Sequence, residues 1–272
     1  MRARSYRCIA LHAPATVAVG NLTVQHGIDG RVHSEQRVTE GSFSLVVLRN
    51  SQQILVEMFI RFAVAFAHQL PSEPTASDVA SQNQRLVSLL QHLRKPSTKT
   101  IQGLWSELFL IATRDNPEHW VTGWHVDPTG LHDFIFGDIR VEVKSSAAQV
   151  RAHRFSHIQL GPPSGTSLFV ASVLVERSGQ GLSVFDLADR AHSRLSPHAS
   201  FLLDSTITST LGLDYLKAEE IRFDLACAMD SLLFFPLGMV PRLTEEAPNR
   251  VTEITYSVRL LDSDGERELH FA

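Results

Sequence analysis

Cysteine is scarce in this chain of 272 residues, which contains only Cys8 and Cys227, far apart and outside any CxxC spacing. Such scarcity excludes a disulfide framework and a cysteine-based zinc site, and it favours a reducing compartment. Isolated cysteines of this kind are typical of small, buried apolar positions. We therefore expect a cytoplasmic protein.

Long hydrophobic runs are also missing, because no stretch reaches the roughly 18 apolar residues that a membrane-spanning helix needs. The apolar stretch at the start of the chain is interrupted by Arg7 and His12, so we expect no cleaved signal peptide. The chain contains no GxxxxGKS pattern, which excludes a P-loop ATP site. Its sequence therefore predicts no membrane association.

A strong excess of one charge is absent as well, since the formal net charge is −4. Attraction of nucleic acid by the whole surface is thereby excluded, and a local basic patch would have to bind it. Lysine is rare among the 25 basic residues, with only four occurrences: Lys95, Lys99, Lys144 and Lys217. A lysine is therefore an informative choice in this arginine-rich chain.

The hydrophobic pattern predicts an N-terminal β/α module over residues 1–95. Residues 43–48 alternate as in a strand, 54–70 form an apolar run that suits a largely buried helix, and 78–94 predict a second helix. The polar segment Lys95-Pro96-Ser97-Thr98 marks a boundary. We assign residues 96–272 to a second domain with a C-terminal extension.

The second domain begins with an amphipathic helix after Thr100. Glu107 lies beside its apolar stripe and can reach the edge of a sheet on which the helix packs. The stripe consists of Ile101, Leu104, Trp105, Leu108, Ile111 and Ala112.

The rest of the second domain is predicted to alternate strands and helices. Strands are predicted at 119–126, 131–136, 139–145, 167–176, 220–235 and 251–261, and helices at 184–195 and 199–211. A turn is predicted at 178–181, and 151–160 suits either a strand or a helix.

One hairpin in this domain gathers polar residues at a single point. Because side chains alternate faces along a strand, Glu142 and Lys144 share one face. Gly137 and Asp138 suit a tight two-residue turn, which places Asp133 opposite Glu142. The sequence thus predicts two carboxylates and one ammonium group close together.

Such a cluster suits the hydrolysis of phosphodiester bonds. Asp133 and Glu142 can hold Mg²⁺, or Mn²⁺ in its place, through oxygen ligands. A bound ion polarises the phosphate and lowers the pKa of water. Lys144 can orient that water or offset negative charge on the phosphate. On spacing alone, however, an exposed polar face with cross-strand charge pairs is the commoner explanation of such a pattern.

The sequence resembles the PD-(D/E)XK nuclease superfamily, and in particular an uncharacterised bacterial family of PD-(D/E)XK motif proteins found near phage-defence genes. The matching stretches are GLWSELFL (103–110), HDF (132–134), EVKSS (142–146) and RAHRFSHIQL (151–160). The resemblance implies that Glu107, Asp133, Glu142 and Lys144 are the catalytic residues, with His132 where the superfamily often has proline. It also implies an α/β (α+β) fold, a restriction-endonuclease-like mixed sheet flanked by helices.

Residues near the motif are candidates for contacting nucleic acid. Arg140, Arg151 and Arg154 can form a phosphate-binding patch, although a solvated basic edge is the alternative. Gln159 can point into the site, as a glutamine does in some members of the superfamily, or be a surface amide. A zinc site of His132, His153 and His157 is a further alternative.

Two functions from different classes fit these observations. The first is an Mg²⁺-dependent endodeoxyribonuclease in bacterial restriction or phage defence, with DNA as substrate. Its other expected partners are defence proteins such as an ATPase or a methyltransferase, and a second copy of the chain. The second function is a non-catalytic nucleic-acid-binding or scaffold subunit that keeps the nuclease fold.

Overall fold

The computed structural model describes residues 15–19, 22–33, 38–49, scattered positions between 56 and 71, and 74–93, 95–124, 130–244, 250–251 and 253–269. These fall into two compact units, residues 1–91 and 92–272. The division predicted from the sequence lies four residues later, after residue 95. Within the described residues, no helix combines the length and apolar character needed to cross a bilayer.

The first unit contains an antiparallel three-stranded sheet in the order β1 (Ala15–Val19), β2 (Leu22–His33) and β3 (Val38–Leu48). The predicted strand at 43–48 forms the end of β3. The described positions between 56 and 67 are helical, and Phe62 and Phe66 are buried there. The predicted helix at 54–70 is therefore present at those positions, and Leu70 at its predicted end is a bend; its other positions lie outside the described residues. Helix α1 spans Ala76–His92.

The second unit is built on a mixed four-stranded sheet. Its order is β4 (Phe134–Phe136), β5 (Ile139–Ser146), β7 (Ser167–Leu174) and β9 (Leu233–Pro236). The pair β5–β7 is parallel, and the other two pairs are antiparallel. Strands β6 (Ala152–Ser156) and β10 (Thr255–Arg259) form a separate antiparallel pair. Strand β8 spans Arg177–Leu182.

The described residues of this unit include five α-helices: α2 (Ile101–Thr113), α3 (Pro117–Gly123), α4 (Val184–His192), α5 (Pro197–Leu211) and α6 (Leu225–Ser231). Helix α2 packs against β5 and α4, and α6 packs against β7. The fold class is confirmed: an α+β protein with a mixed sheet flanked by helices, consistent with a restriction-endonuclease-like fold.

A hydrophobic cluster joins the β6–β10 pair to the main sheet. Phe155 and Val258 come from the pair, while Leu168, Val170 and Phe235 come from the main sheet. Burial of these side chains supplies a large favourable free energy that holds β6 against β5 and β7. Residues of β6 that face inward are thereby brought close to the polar end of β5.

Two strand predictions are wrong, for the same local reason. The segment predicted as a strand at 119–126 begins instead as α3, because the Asn116 side chain accepts a hydrogen bond from the His119 amide and Pro117 occupies the first turn. Similarly, the middle of 220–235 is α6, capped by the Asp224 side chain, which accepts from the Cys227 amide, and only the end of the predicted strand, from Leu233, is confirmed as β9. Helix caps outweigh strand propensity in both segments.

The turn predicted at 178–181 is also wrong, since these residues lie inside β8. Gly181 is needed there because a Cβ at this position would lie 2.2 Å from the carbonyl oxygen of Phe223. By contrast, the predicted start of the next helix is confirmed: the Ser183 hydroxyl accepts from the Asp186 amide, and the Asp186 side chain accepts from the Ser183 amide.

Candidate active site

The predicted hairpin is confirmed, with its turn at Gly137 in the left-handed region (φ 56°). Strands β4 and β5 pair so that Phe134 lies opposite Val141. Residues 133 and 142 are the next positions outward in the same register. The turn geometry therefore brings Asp133 to the part of β5 that carries Glu142.

Glu142 and Lys144 lie on one face of β5, as alternation requires. The Lys144 ammonium nitrogen is 2.7 Å from Oε1 of Glu142, and the Gln159 amide donates to the same oxygen at 2.9 Å. Oε2 of Glu142 is buried and has no hydrogen-bond partner among the described residues. Such an unsatisfied buried oxygen is costly and points to a missing partner.

A second lysine, Lys99, connects the other two carboxylates. Its ammonium nitrogen lies 2.5 Å from Oε1 of Glu107 and also donates to Oδ1 of Asp133. The Trp124 indole donates to Oε2 of Glu107 at 2.7 Å, and the Val143 amide donates to Oδ2 of Asp133 at 2.8 Å. Every carboxylate oxygen of Glu107 and Asp133 thus accepts a hydrogen bond from the protein.

Burial and mutual repulsion govern the charges of these carboxylates. Burial, followed by repulsion from Glu107, raises the pKa of Asp133, and Lys99 opposes this shift. Burial, followed by repulsion from Asp133, raises the pKa of Glu142 to about 8, with Lys144 opposing. Burial alone would lower the pKa of Lys99, but Glu107 and Asp133 outweigh it and the net shift is upward. Additional positive charge would therefore be favourable here.

A divalent cation fits one side of this cluster better than the other. The open oxygen of Glu142 and the carboxylate of Asp133 are hard oxygen donors of the kind that Mg²⁺ and Mn²⁺ accept. Among the described residues, no group of three or more His, Cys, Asp or Glu side chains is placed to hold a metal ion. An ion at Asp133 and Glu142 would therefore complete its shell with water or substrate oxygens, as Mg²⁺ commonly does.

The two lysines form the accessible part of the site. Their side chains are 29% (Lys99) and 19% (Lys144) exposed, whereas that of Glu142 is 5% exposed. Lys99 also lines an open cavity of about 770 Å³, together with other residues of 97–102 and with Arg177, Asp214 and Ile221. The cluster is therefore buried at its carboxylates and open to solvent at its ammonium groups.

The structure separates the candidates for binding nucleic acid. Gln159 points into the site and is held there, because its Oε1 accepts from the Ser156 amide while its amide nitrogen contacts Glu142. Arg140 shares the strand face of Glu142 and donates to the carbonyls of Gly137 and Ile139. Arg154 is exposed and donates to the Thr255 hydroxyl at 2.8 Å.

Arg151 is the exception, and its expected place on a basic surface is wrong. The side chain is 3% exposed. It donates to Asp262, to both the carbonyl and the hydroxyl of Ser172, and to the Ser231 carbonyl. Its nitrogens hold the start of β6, strand β7, the end of α6 and the segment after β10 together, so it is not available to a phosphate.

The three histidines of the zinc alternative are not assembled into a site. His132 pairs with the Gln159 carbonyl oxygen at 2.8 Å, and His153 pairs with the Ser172 hydroxyl at 2.7 Å. Burial, followed by the positive charges of Lys144 and Arg151, lowers the pKa of His153 to about 4. His153 is therefore neutral near pH 7 and serves as a packed, hydrogen-bonded residue beneath the site.

Replacing His153 with Gln should reduce the loss in the free energy of unfolding that occurs as the pH falls below 7. The unfolded chain binds a proton near pH 6.5 while the folded protein resists protonation until about pH 4, so stability is lost as the pH falls through this window. The loss that His153 causes is up to about 3 kcal/mol. Urea denaturation between pH 4 and 7 measures it, and a variant with an unchanged slope would contradict the assignment.

Sequence reasoning missed Lys99 and the role of Trp124. Trp124 is buried and donates to Glu107. The signal for Lys99 was its rarity, because two of only four lysines in the chain lie in this cluster.

Comparison with known proteins gives one match. A family model described as "Putative PD-(D/E)XK family member, (DUF4420)" matches residues 3–261. No curated protein matches, and no solved structure matches. The matched range includes every residue of the cluster.

Proposed function

Since the chain belongs to this PD-(D/E)XK family, we propose that it is a metal-dependent nuclease that hydrolyses phosphodiester bonds of DNA. The proposal assigns Asp133 and Glu142 to a divalent cation, Mg²⁺ or Mn²⁺, and Lys144 to the phosphate or the attacking water. Glu107 supports the site through Lys99. A role in restriction or phage defence, together with other defence proteins, is the setting that best suits such an enzyme.

The observation that carries the proposal is the open oxygen of Glu142. Oε1 of this carboxylate is fixed by Lys144 and Gln159, while Oε2 is buried and unpaired among the described residues. A purely structural ion pair would not be expected to leave this oxygen unpaired, because an unsatisfied buried oxygen costs free energy. A cation ligand, by contrast, needs a lone pair that no protein donor occupies; Oε2 of Glu142 offers one, and each oxygen of Asp133, with one donor for its two lone pairs, can offer another.

The residues of the chain have distinct tasks in this proposal. Gln159 and Lys144 orient the Glu142 carboxylate, and the Val143 amide orients Asp133. A cation held there would lower the pKa of a bound water and polarise the phosphate. Lys144 keeps an ammonium group beside the reacting phosphate, where it offsets developing negative charge and holds a water by hydrogen bonding. The exposed Arg154 and the partly buried Arg140 contact the DNA backbone.

Nicking of supercoiled plasmid in Mg²⁺ or Mn²⁺ tests this function. The wild type is expected to nick, and Lys144→Ala is expected to lose at least about a hundredfold in rate because the phosphate loses its ammonium partner. Lys217→Ala is the matched control, since this lysine lies on the surface with Asp214. If the wild type and Lys144→Ala are equally inert, also with neighbouring gene products added, the non-catalytic subunit becomes the better description.

A further inference from the structure

Lys99 occupies the place between Glu107 and Asp133 where a second cation would otherwise bridge two carboxylates. Its ammonium nitrogen contacts one oxygen of each. The remaining oxygen of Glu107 is taken by Trp124, and that of Asp133 by the Val143 amide. A metal ion bridging this pair would have to displace Lys99, whereas an ion at Glu142 meets an oxygen that is already open.

The backbone around Lys99 is fixed on both sides. Before it, the Thr98 amide donates to the Thr210 carbonyl at 3.0 Å, and the Ser97 hydroxyl donates to Asp214 at 2.7 Å. After it, Thr100 caps α2 by accepting from the Gly103 amide at 3.1 Å. The ammonium group therefore extends from an anchored segment, and displacing it would break two charge-assisted hydrogen bonds inside a mostly buried cluster.

The charges of the cluster also disfavour a second divalent ion. Glu107, Asp133 and Glu142 carry three negative charges when ionised, and Lys99 and Lys144 carry two positive ones. One divalent ion brings the cluster close to neutrality and leaves it attractive to a phosphate. A second divalent ion beside both ammonium groups would be strongly repelled at these distances.

We infer that Lys99 is the permanent cation of the Glu107–Asp133 pair and restricts the site to a single divalent ion, held by Asp133 and Glu142. The inference rests on the proposed nuclease function and specifies its metal stoichiometry. Lys99 is thus a positioning residue that fixes Asp133 and fills the second cation position with a group that cannot dissociate from the chain.

Mn²⁺ binding measured by calorimetry, and by the electron paramagnetic resonance signal of free Mn²⁺, tests the inference without reference to activity. The wild type and the surface control Lys217→Met are expected to bind one ion, and Glu142→Gln none. Lys99→Met is expected to gain a second ion, bound at least about tenfold more tightly than any second ion of the wild type. In the double variant Lys99→Met/Glu107→Gln the count should return to one.

Stability in EDTA supplies a second measurement. Lys99→Met should be destabilised, because two buried carboxylates lose their cation. Added Mn²⁺ should raise the free energy of unfolding of this variant by more than it raises that of the wild type. If Lys99→Met is unfolded in EDTA, recovery of its circular dichroism on adding Mn²⁺ counts as support. The double variant, which loses one charge of each sign, should fold in EDTA.

The outcomes separate this inference from the proposed function. Two ions in the wild type, or one ion in both the wild type and Lys99→Met, would overturn the role of Lys99 and leave the nuclease proposal standing. No ion in the wild type but one in Lys99→Met would uphold Lys99 as the resident cation and overturn the nuclease proposal. No ion in either protein would overturn both.

Discussion

Glu142→Gln is expected to abolish Mn²⁺ binding and plasmid nicking together, with nicking reduced at least about 10³-fold. Gln keeps an oxygen that can accept from Lys144 and Gln159, so the fold around it should persist. The open oxygen, however, becomes an amide nitrogen, which cannot ligate a cation. Calorimetry with Mn²⁺ and a nicking assay on the same preparation check the two losses.

The same substitution should change how stability depends on pH. Because burial raises the pKa of Glu142 to about 8 from an ordinary value of 4.5, the folded protein retains a proton that the unfolded chain has lost. In metal-free wild type, this carboxyl therefore contributes stability below pH 4.5 that is lost as the pH rises through 8. Glu142→Gln should lack that decline, and urea denaturation in EDTA across this range measures it.

Glu220→Gln provides the control, since Glu220 is exposed and should leave ion binding, nicking and the pH profile unchanged. If Glu142→Gln still binds Mn²⁺ as the wild type does, the ion lies elsewhere. If it binds none but nicks normally, the cleavage does not depend on this ion.

Much of the candidate site could be predicted because its geometry is local. The register of β4 and β5 follows from a two-residue turn at Gly137, and the shared face of Glu142 and Lys144 follows from strand alternation. Both rules act over about ten residues, and the structure satisfies both. The helix that carries Glu107 was predictable from its apolar period for the same reason.

Lys99 could not be placed in this way, because its contacts depend on packing between distant segments. Its partner Asp133 lies 34 residues further along the chain, and the Ser97–Asp214 hydrogen bond that helps to fix its segment spans 117 residues. No periodicity relates such positions. Only the unusual choice of lysine marked Lys99 as a residue with a specific task.

The misplacement of Arg151 has a different origin, since the information was present in the sequence. In β6 and at the position before it, burial alternates strictly: Arg151, His153 and Phe155 face inward, while Ala152 and Arg154 face outward. Without a decision between strand and helix for residues 151–160, Arg151 and Arg154 cannot be assigned to opposite faces. A strand assignment would have separated them, although it would not have shown which face is buried.

Arg151→Met is therefore expected to lower the free energy of unfolding by about 3 kcal/mol, since the buried Ser172 carbonyl and the partly buried Ser231 carbonyl each lose a donor. The free energy of unfolding of Arg151→Lys should lie between those of Arg151→Met and the wild type, because one ammonium group cannot replace every bond of the guanidinium. Chemical denaturation at pH 7 measures both. Any loss of DNA binding in Arg151→Met should match its unfolded fraction.

Arg154→Met is the matched comparison from the same strand, and it should change the free energy of unfolding by less than about 0.5 kcal/mol. Its guanidinium is exposed and contacts only Thr255 among the hydrogen bonds of the described residues. As a phosphate contact it should weaken DNA binding and reduce the salt slope by about one unit. Equal destabilisation by the two substitutions would refute the assignment of a structural role to Arg151 and a DNA-contacting role to Arg154. Residues on opposite faces of this strand differ in burial, and their substitutions should therefore differ in the free energy of unfolding that is lost.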